Sequence, residues 1–369
     1  MKNLRTMMLS PVLGLAVSMV PALAIAKDAA VVAVAPAPAS SAPYGVGMRS
    51  VTWIDTSRGI KKSMGFEGSD TRRIDVTIWY PTSAKRGAPE NDAPAAGDGP
   101  WPLVIYAHGT MGYPSNNMNT VNELVSNGYV VVAPTFPLSS RAAFTHIKFA
   151  DVSDLRQQVG DVSFLIDKTL ADPMLSKIVN PQEIGFIGHS LGGVTGYFAT
   201  YGGGINEPRL KAVVLAGSGD PVQTALTHDM GVLGTPHLEV SVPVLFLTAE
   251  KDVFTRMTGR PYAAFARVEG PKYQIMIKNG VHSWLRDADN VPPGNKSPDC
   301  AFFENWFPNA KVPGCEAETP LIDPKRENLL ARTAAHYFFD AYLKDNDLAE
   351  RSLQNMGENN ADVSVIFRN

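Results

Sequence analysis

Short unbroken apolar runs alternate along the chain with stretches whose apolar residues recur every three or four positions. Residues 51–54 and 74–80 predict two early strands, an antiparallel hairpin at a sheet edge, with Pro81 ending the second. Residues 103–107, 129–133, 184–188, 210–216 and 242–248 are short apolar runs of the kind buried on both faces of a parallel sheet. Residues 273–277 are the last strand the pattern supports. Helical spacing marks 116–127, where Val121, Leu124 and Val125 share a face, and 152–170, where Leu155, Val159, Val162, Ile166 and Leu170 repeat. Residues 191–201 and 326–343 complete the set, the latter as the closing helix. The alternation predicts an α/β fold, a mostly parallel doubly wound sheet with helices on both faces. Residues 84–100 read as a polar surface loop. There is no internal repeat, and no linker follows residue 44, so 44–369 reads as one domain. Two stretches, about 217–241 and 284–323, break the alternation. They read as insertions, and loops beyond the strand C-termini form the ligand site in such sheets.

The first 26 residues do not fit this domain. Lys2 and Arg5 precede an apolar run over residues 7–20, and Ala24-Ile25-Ala26 offers small residues at the positions a signal peptidase reads. The run is short for a membrane span, which predicts a cleaved signal peptide, with cleavage before Lys27, rather than a stable membrane anchor. Residues 27–43 are rich in Ala, Val and Pro and read as a leader. The expected location is therefore secreted or periplasmic. Export implies an oxidising compartment, where Cys300 and Cys315 are expected to pair, the alternative being two free buried thiols. With 33 basic and 36 acidic residues spread along the chain, no basic patch suggests a nucleic acid partner. Two cysteines exclude a four-cysteine zinc site, and no zinc spacing or phosphate-binding loop occurs, so neither a metal nor another cofactor is expected.

The candidate chemistry begins at Gly188-His189-Ser190-Leu191-Gly192, a G-x-S-x-G pattern. The pattern is weak alone. Here a buried strand leads in and a helix leads out, the strand–turn–helix context of a nucleophile elbow. The spacing does not match a dinucleotide fingerprint, because Gly185 falls inside the strand. The chain at this point resembles the α/β-hydrolase superfamily. More narrowly it is similar to the exported branch that contains platelet-activating-factor acetylhydrolases, bacterial polyester hydrolases and predicted dienelactone hydrolases. The resemblance spans roughly 44–343. It rests on Ile78-Trp79-Tyr80-Pro81, Ala107-His108-Gly109-Thr110, the Ser190 motif and Leu247-Thr248-Ala249-Glu250-Lys251-Asp252. True dienelactone hydrolases carry Cys at the nucleophile position, so Ser190 argues against that substrate.

A serine hydroxyl needs a base to take its proton and an acid to orient the base. The resemblance implies the chain order Ser, acid, His. It assigns His282, in the loop after the strand 273–277, as base and Asp252 as acid, with Glu250 as the alternative acid. It implies oxyanion donors at the backbone N–H of Leu191 and of Thr110, with Met111 as the alternative to Thr110. His108 is expected to hold the loop, and His336 to pack. Met111, Tyr113, His189 and Trp284 are candidate pocket wall by family position, or else ordinary core. Asp151, Asp154 and Asp161 read as a solvated helix face, and Asp220 as polar lining. The expected activity is hydrolysis of carboxylic esters, small-molecule or polymeric, with an apolar acyl or aryl part. An acyltransferase or peptidase using the same nucleophile is the rival reading, and a non-catalytic binding protein the third. Substrate length and oligomeric state are not legible.

Overall fold

The computed structural model describes residues 43–369, except 64, 146–150, 224–238, 258–261, 295, 302–303, 305–314, 317–318 and 359. The expected signal peptide, and the leader up to residue 42, lie outside the described residues. So do most of the first insertion and part of the second.

Ten strands form one sheet. They are β1 (Gly45–Asp55), β2 (Arg72–Thr82), β3 (Glu90–Asn91), β4 (Trp101–Ala107), β5 (Val130–Thr135), β6 (Val179–His189), β7 (Leu210–Ala216), β8 (Val244–Ala249), β9 (Lys272–Ile277) and β10 (Val363–Arg368). Their order is β10-β9-β8-β7-β6-β4-β5-β2-β1-β3. β5, β4, β6, β7, β8 and β9 run parallel, β2 joins β5 antiparallel, and β1 pairs with β2 over its whole length as the expected hairpin. β3 adds to β1 within the segment expected to be polar loop. β10, antiparallel to β9, adds an edge strand beyond the expected last one. Only Val363 of its six residues is buried, because the strand lies at the edge of the sheet.

The pleat divides the core. Leu103, Ile105, Val213, Leu215 and Phe246 face one side, where α2 (Leu155–Ala171) and α3 (Leu191–Tyr201) pack with Val159, Val162, Ile166, Val194 and Phe198. Val104, Tyr106, Val214, Leu245 and Leu247 face the other. There α1 (Met118–Ser126) contributes Val121, Leu124 and Val125, and the closing helix contributes Leu330, Ala334, Phe338 and Phe339. Between β8 and β9 the chain crosses through α4 (Val253–Met257) and α5 (Tyr262–Arg267). The closing helix is α6 (Pro324–Leu343), followed by α7 (Asp347–Gln354).

One reading of the helix surfaces is corrected. Asp154 and Asp161 are not solvated: both side chains are fully buried against Arg72, itself fully buried, at 2.8 and 2.7 Å. Arg58 adds a second guanidinium at 2.9 Å from Asp161. Buried charges persist when paired in this way. Burial still pushes the Asp154 carboxyl up, to about 6, against the pull of Arg72. Asp151 lies nearer the surface, 3.1 Å from Lys61.

Candidate active site

The loops after β4, β6, β7, β8 and β9 converge at the C-terminal edge of the parallel strands. Ser190 stands between β6 and α3 at φ 56° and ψ −119°, a conformation side chains seldom adopt. The crowding around the turn explains its glycines. A Cβ on Gly188 would lie 2.1 Å from the Gly192 carbonyl oxygen, and one on Gly192 would lie 2.1 Å from that of Ala107. His189 and Leu191 are buried while Ser190 is part-exposed, and its N–H is held by the Ala216 carbonyl at 2.8 Å. Ser190 is the N-cap residue of α3, at the positive end of the helix dipole.

His282 and Asp252 meet. His282 Nδ1–H donates to Asp252 Oδ2 at 2.8 Å, which turns Nε2 into the ring nitrogen left for a proton. Asp252 is itself held, since its Oδ1 accepts the N–H groups of Phe254 and Thr255 at 2.9 and 3.1 Å. Burial, the largest influence, pushes the His282 imidazole down. The Asp252 charge and hydrogen bond, with Asp299, outweigh it and leave the pKa raised. His282 adjoins the elbow: His189 Nε2–H donates to the His282 carbonyl at 3.0 Å, and their rings lie 4.5 Å apart. A Cβ on Gly217, next to the residue that holds Ser190 N–H, would lie 3.0 Å from His282 Nδ1. Burial and the neighbouring His282 and Arg286 drive His189 well below the ordinary histidine range, so it stays neutral.

Glu250 is engaged differently. Its Oε2 accepts the N–H of Asn279, a residue at φ 54° in the loop leading to His282. It shapes that loop and does not bond the imidazole.

The loop after β4 lies against the nucleophile. A Cβ on Gly109 would be 2.8 Å from the Ser190 Cβ, so only glycine fits. His108 holds this loop. Phe136 N–H donates to its Nε2 at 3.2 Å, so Nδ1 carries the proton and donates to the Gly109 carbonyl at 2.8 Å. Burial pushes His108 down to about 4, which keeps it neutral. Met111 N–H is committed to the Ser139 carbonyl at 2.7 Å. Thr110, next to it, is exposed, and Leu191 is the first residue of α3.

Among the candidate wall residues, Met111 is 49% exposed beside Thr110, and Tyr113 is part-buried. Trp284 is fully buried and donates from Nε1 to the Asn290 carbonyl at 3.0 Å, which places it in the packing beneath the His282 loop rather than at a surface. Asp220 is no free lining group. It pairs with Arg267. His336 lies away from the site, between Glu123 and Asp340. Cys300 and Cys315 form a disulfide. The residue that sequence reading missed is Asp299, whose only signal was its place beside Cys300. His228 and His237, in the first insertion, lie outside the described residues. Among the described residues no group of three or more His, Cys, Asp or Glu side chains is placed to hold a metal, and no helix is long and apolar enough to cross a membrane.

A model of the chlorophyllase family matches residues 90–245. That stretch holds the Thr110 loop and Ser190 and stops short of Asp252 and His282. Among solved structures, a ferulic acid esterase from Streptomyces cinnamoneus matches at a TM-score of 0.61 and 18% sequence identity, covering 91% of this chain and 98% of its own. No curated protein matches. The structural match and the strand order identify the fold.

Proposed function

We propose that this chain, which has the α/β-hydrolase fold, is an exported serine hydrolase of carboxylic esters working through an acyl-enzyme. The observation that carries the reading is the 2.8 Å bond from His282 to a backbone-anchored Asp252, set beside a serine held at φ 56° on a strand–helix elbow. Ser190 Oγ attacks the ester carbonyl while His282 Nε2 takes its proton. The imidazolium that forms is stabilised by Asp252 and then protonates the leaving alcohol. Negative charge on the former carbonyl oxygen falls to the N–H groups of Thr110 and Leu191, at the positive end of α3. Water repeats the sequence and frees the acid. No step calls for a cofactor. His108 and His189, both kept neutral, shape the site without exchanging protons.

The substrate class is an ester with an apolar acyl or aryl part, small or polymeric. The half-exposed Met111 beside the oxyanion loop is consistent with that. The structural match to a protein titled a ferulic acid esterase favours including aryl esters in the test. Export is carried by the N-terminal sequence pattern described above, and by the disulfide, which suits an oxidising compartment.

The test is hydrolysis of p-nitrophenyl esters of rising chain length, of an aryl carboxylate ester and of an aromatic polyester film, by wild type and Ser190→Ala. Wild type should turn over at least one class. The variant should lose about 10³-fold or more in kcat, as removal of a nucleophile does. Equal turnover by both proteins would refute the assignment of Ser190.

A further inference from the structure

One more buried carboxylate stands beside the same imidazole. Asp299, in the second insertion, is 5% exposed. Its Oδ1 accepts from Ser283 Oγ at 2.5 Å, and its Oδ2 accepts from Ser283 N–H at 3.4 Å and Ser297 Oγ at 3.1 Å. Ser283 directly follows His282, so Asp299 grips the chain one residue from the base. Cys300 comes next and is bridged to Cys315. Cys315 packs against Val253, the residue after Asp252, as does Phe254, whose ring lies 4.7 Å from that of His282. The bridge thus joins the segment that grips the base to the turn that carries the acid.

We propose that Asp299 is a positioning residue for His282, acting through Ser283 and through its own negative charge, and that the Cys300–Cys315 bridge holds it in register with Asp252. The proposal rests on the reading of His282 as the base. Four groups face the imidazole, and a fifth, Glu327, holds the backbone just before it. Asp252 comes from the turn after β8, Asp299 from the insertion, Arg286 from the turn following His282 and His189 from the elbow. Glu327 comes from α6, where its carboxyl accepts Val281 N–H at 3.1 and 2.9 Å. Burial holds Glu327 well above the ordinary carboxyl range, and His189 is neutral, so Glu327 does not reinforce Asp299 and His189 does not oppose it. Arg286 opposes it, and Asp252 and Asp299 act together to favour the charged imidazole. Loss of the Asp299 charge must then lower the pKa of the base.

The pH profile of kcat/KM for a p-nitrophenyl ester reads this directly, because its acid limb reports the base in the free enzyme. In the full-length protein, Asp299→Asn should move the acid limb down by roughly 1–2 pH units, the order expected for one charge about 6–12 Å away in a medium of effective dielectric about 20. Asp299→Glu, which keeps the charge, should leave the limb near that of wild type. A Cys300→Ser/Cys315→Ser variant should shift the limb in the same direction as Asp299→Asn. An unmoved limb in Asp299→Asn, with only a lower Tm, would overturn the proposal. An unmoved limb in the double cysteine variant would overturn the part given to the bridge. Should Asp299→Asn not fold, the cysteine variant carries the test of the whole, and an unmoved limb there overturns it. Full activity in Ser190→Ala would instead refute the underlying reading of the site, a result none of these variants can mimic.

Discussion

Glu250 and Asp252 sit two residues apart after the same strand, and at the level of single residues only their hydrogen bonds tell them apart. Asp252 takes two backbone N–H groups on one oxygen and His282 on the other, so its geometry toward the imidazole is preset. Glu250 accepts Asn279 N–H on one oxygen and Lys251 Nζ on the other. Asp252→Asn should therefore lower kcat by about 10³–10⁴-fold with little change in KM, because the imidazole loses the partner that sets its tautomer. Glu250→Gln should leave kcat within about threefold and show itself as a loss on the order of 1 kcal/mol in urea unfolding, the usual worth of a hydrogen bond. Steady-state kinetics on both variants decides, and a larger kcat loss in Glu250→Gln would reverse the assignment. The histidines divide in the same way. His108 and His189 flank the site but are desolvated and held neutral, whereas His282 has the carboxylates that a base needs.

At the scale of elements, the elbow is the part the sequence specifies best. Gly188 is required by sterics against the Gly192 carbonyl four residues on, whereas Gly192 is required by the β4 strand end, which the fold brings to it. Gly192→Ala would place a Cβ 2.1 Å from the Ala107 carbonyl oxygen, a backbone atom with no room to retreat. The expected cost is about 3 kcal/mol or more in unfolding free energy, at the upper end of overpacking effects. A fall in Tm of under a degree would show that the β4–β6 junction is softer than its geometry implies. Elsewhere the periodicity reading reaches its limit. Asp154 and Asp161 lie seven residues apart, hence on one helix face, and nothing nearby in sequence announces Arg72, which β2 brings to them from more than 80 residues away. β10, which carries Val363, Val365, Ile366 and Phe367, was missed as well: it follows the closing helix and joins the sheet as an antiparallel edge strand.

Over the whole molecule, one titrating cluster joins helices that lie far apart in sequence. His336 of α6 lies 3.2 Å from Glu123 of α1 and 3.3 Å from Asp340. Burial pulls its pKa down, but the two carboxylates outweigh that and raise it to about 9, from 6.5. A histidine whose folded pKa is raised contributes stability that is complete below about pH 6.5 and is lost as pH climbs through about 9. The difference in unfolding free energy between wild type and His336→Gln should thus be largest near pH 6, up to about 3 kcal/mol, and shrink steadily to pH 9. Urea unfolding across that range measures it, and a difference independent of pH would show that His336 is not charged in the folded protein. By itself the sequence determined the strand–helix alternation, the parallel class of the sheet, the elbow and the short set of candidate groups, because each follows from periodicity or from crowding among near neighbours. Only the tertiary structure decided which carboxylate meets His282, that Met111 N–H is committed elsewhere, that Trp284 is packed away and that Asp299 stands beside the base. Those choices depend on strand order and loop closure, which bring Asp252 and His282, 30 positions apart, and Ser283 and Asp299, 16 apart, within hydrogen-bonding distance, and no local pattern in the chain encodes such a distance.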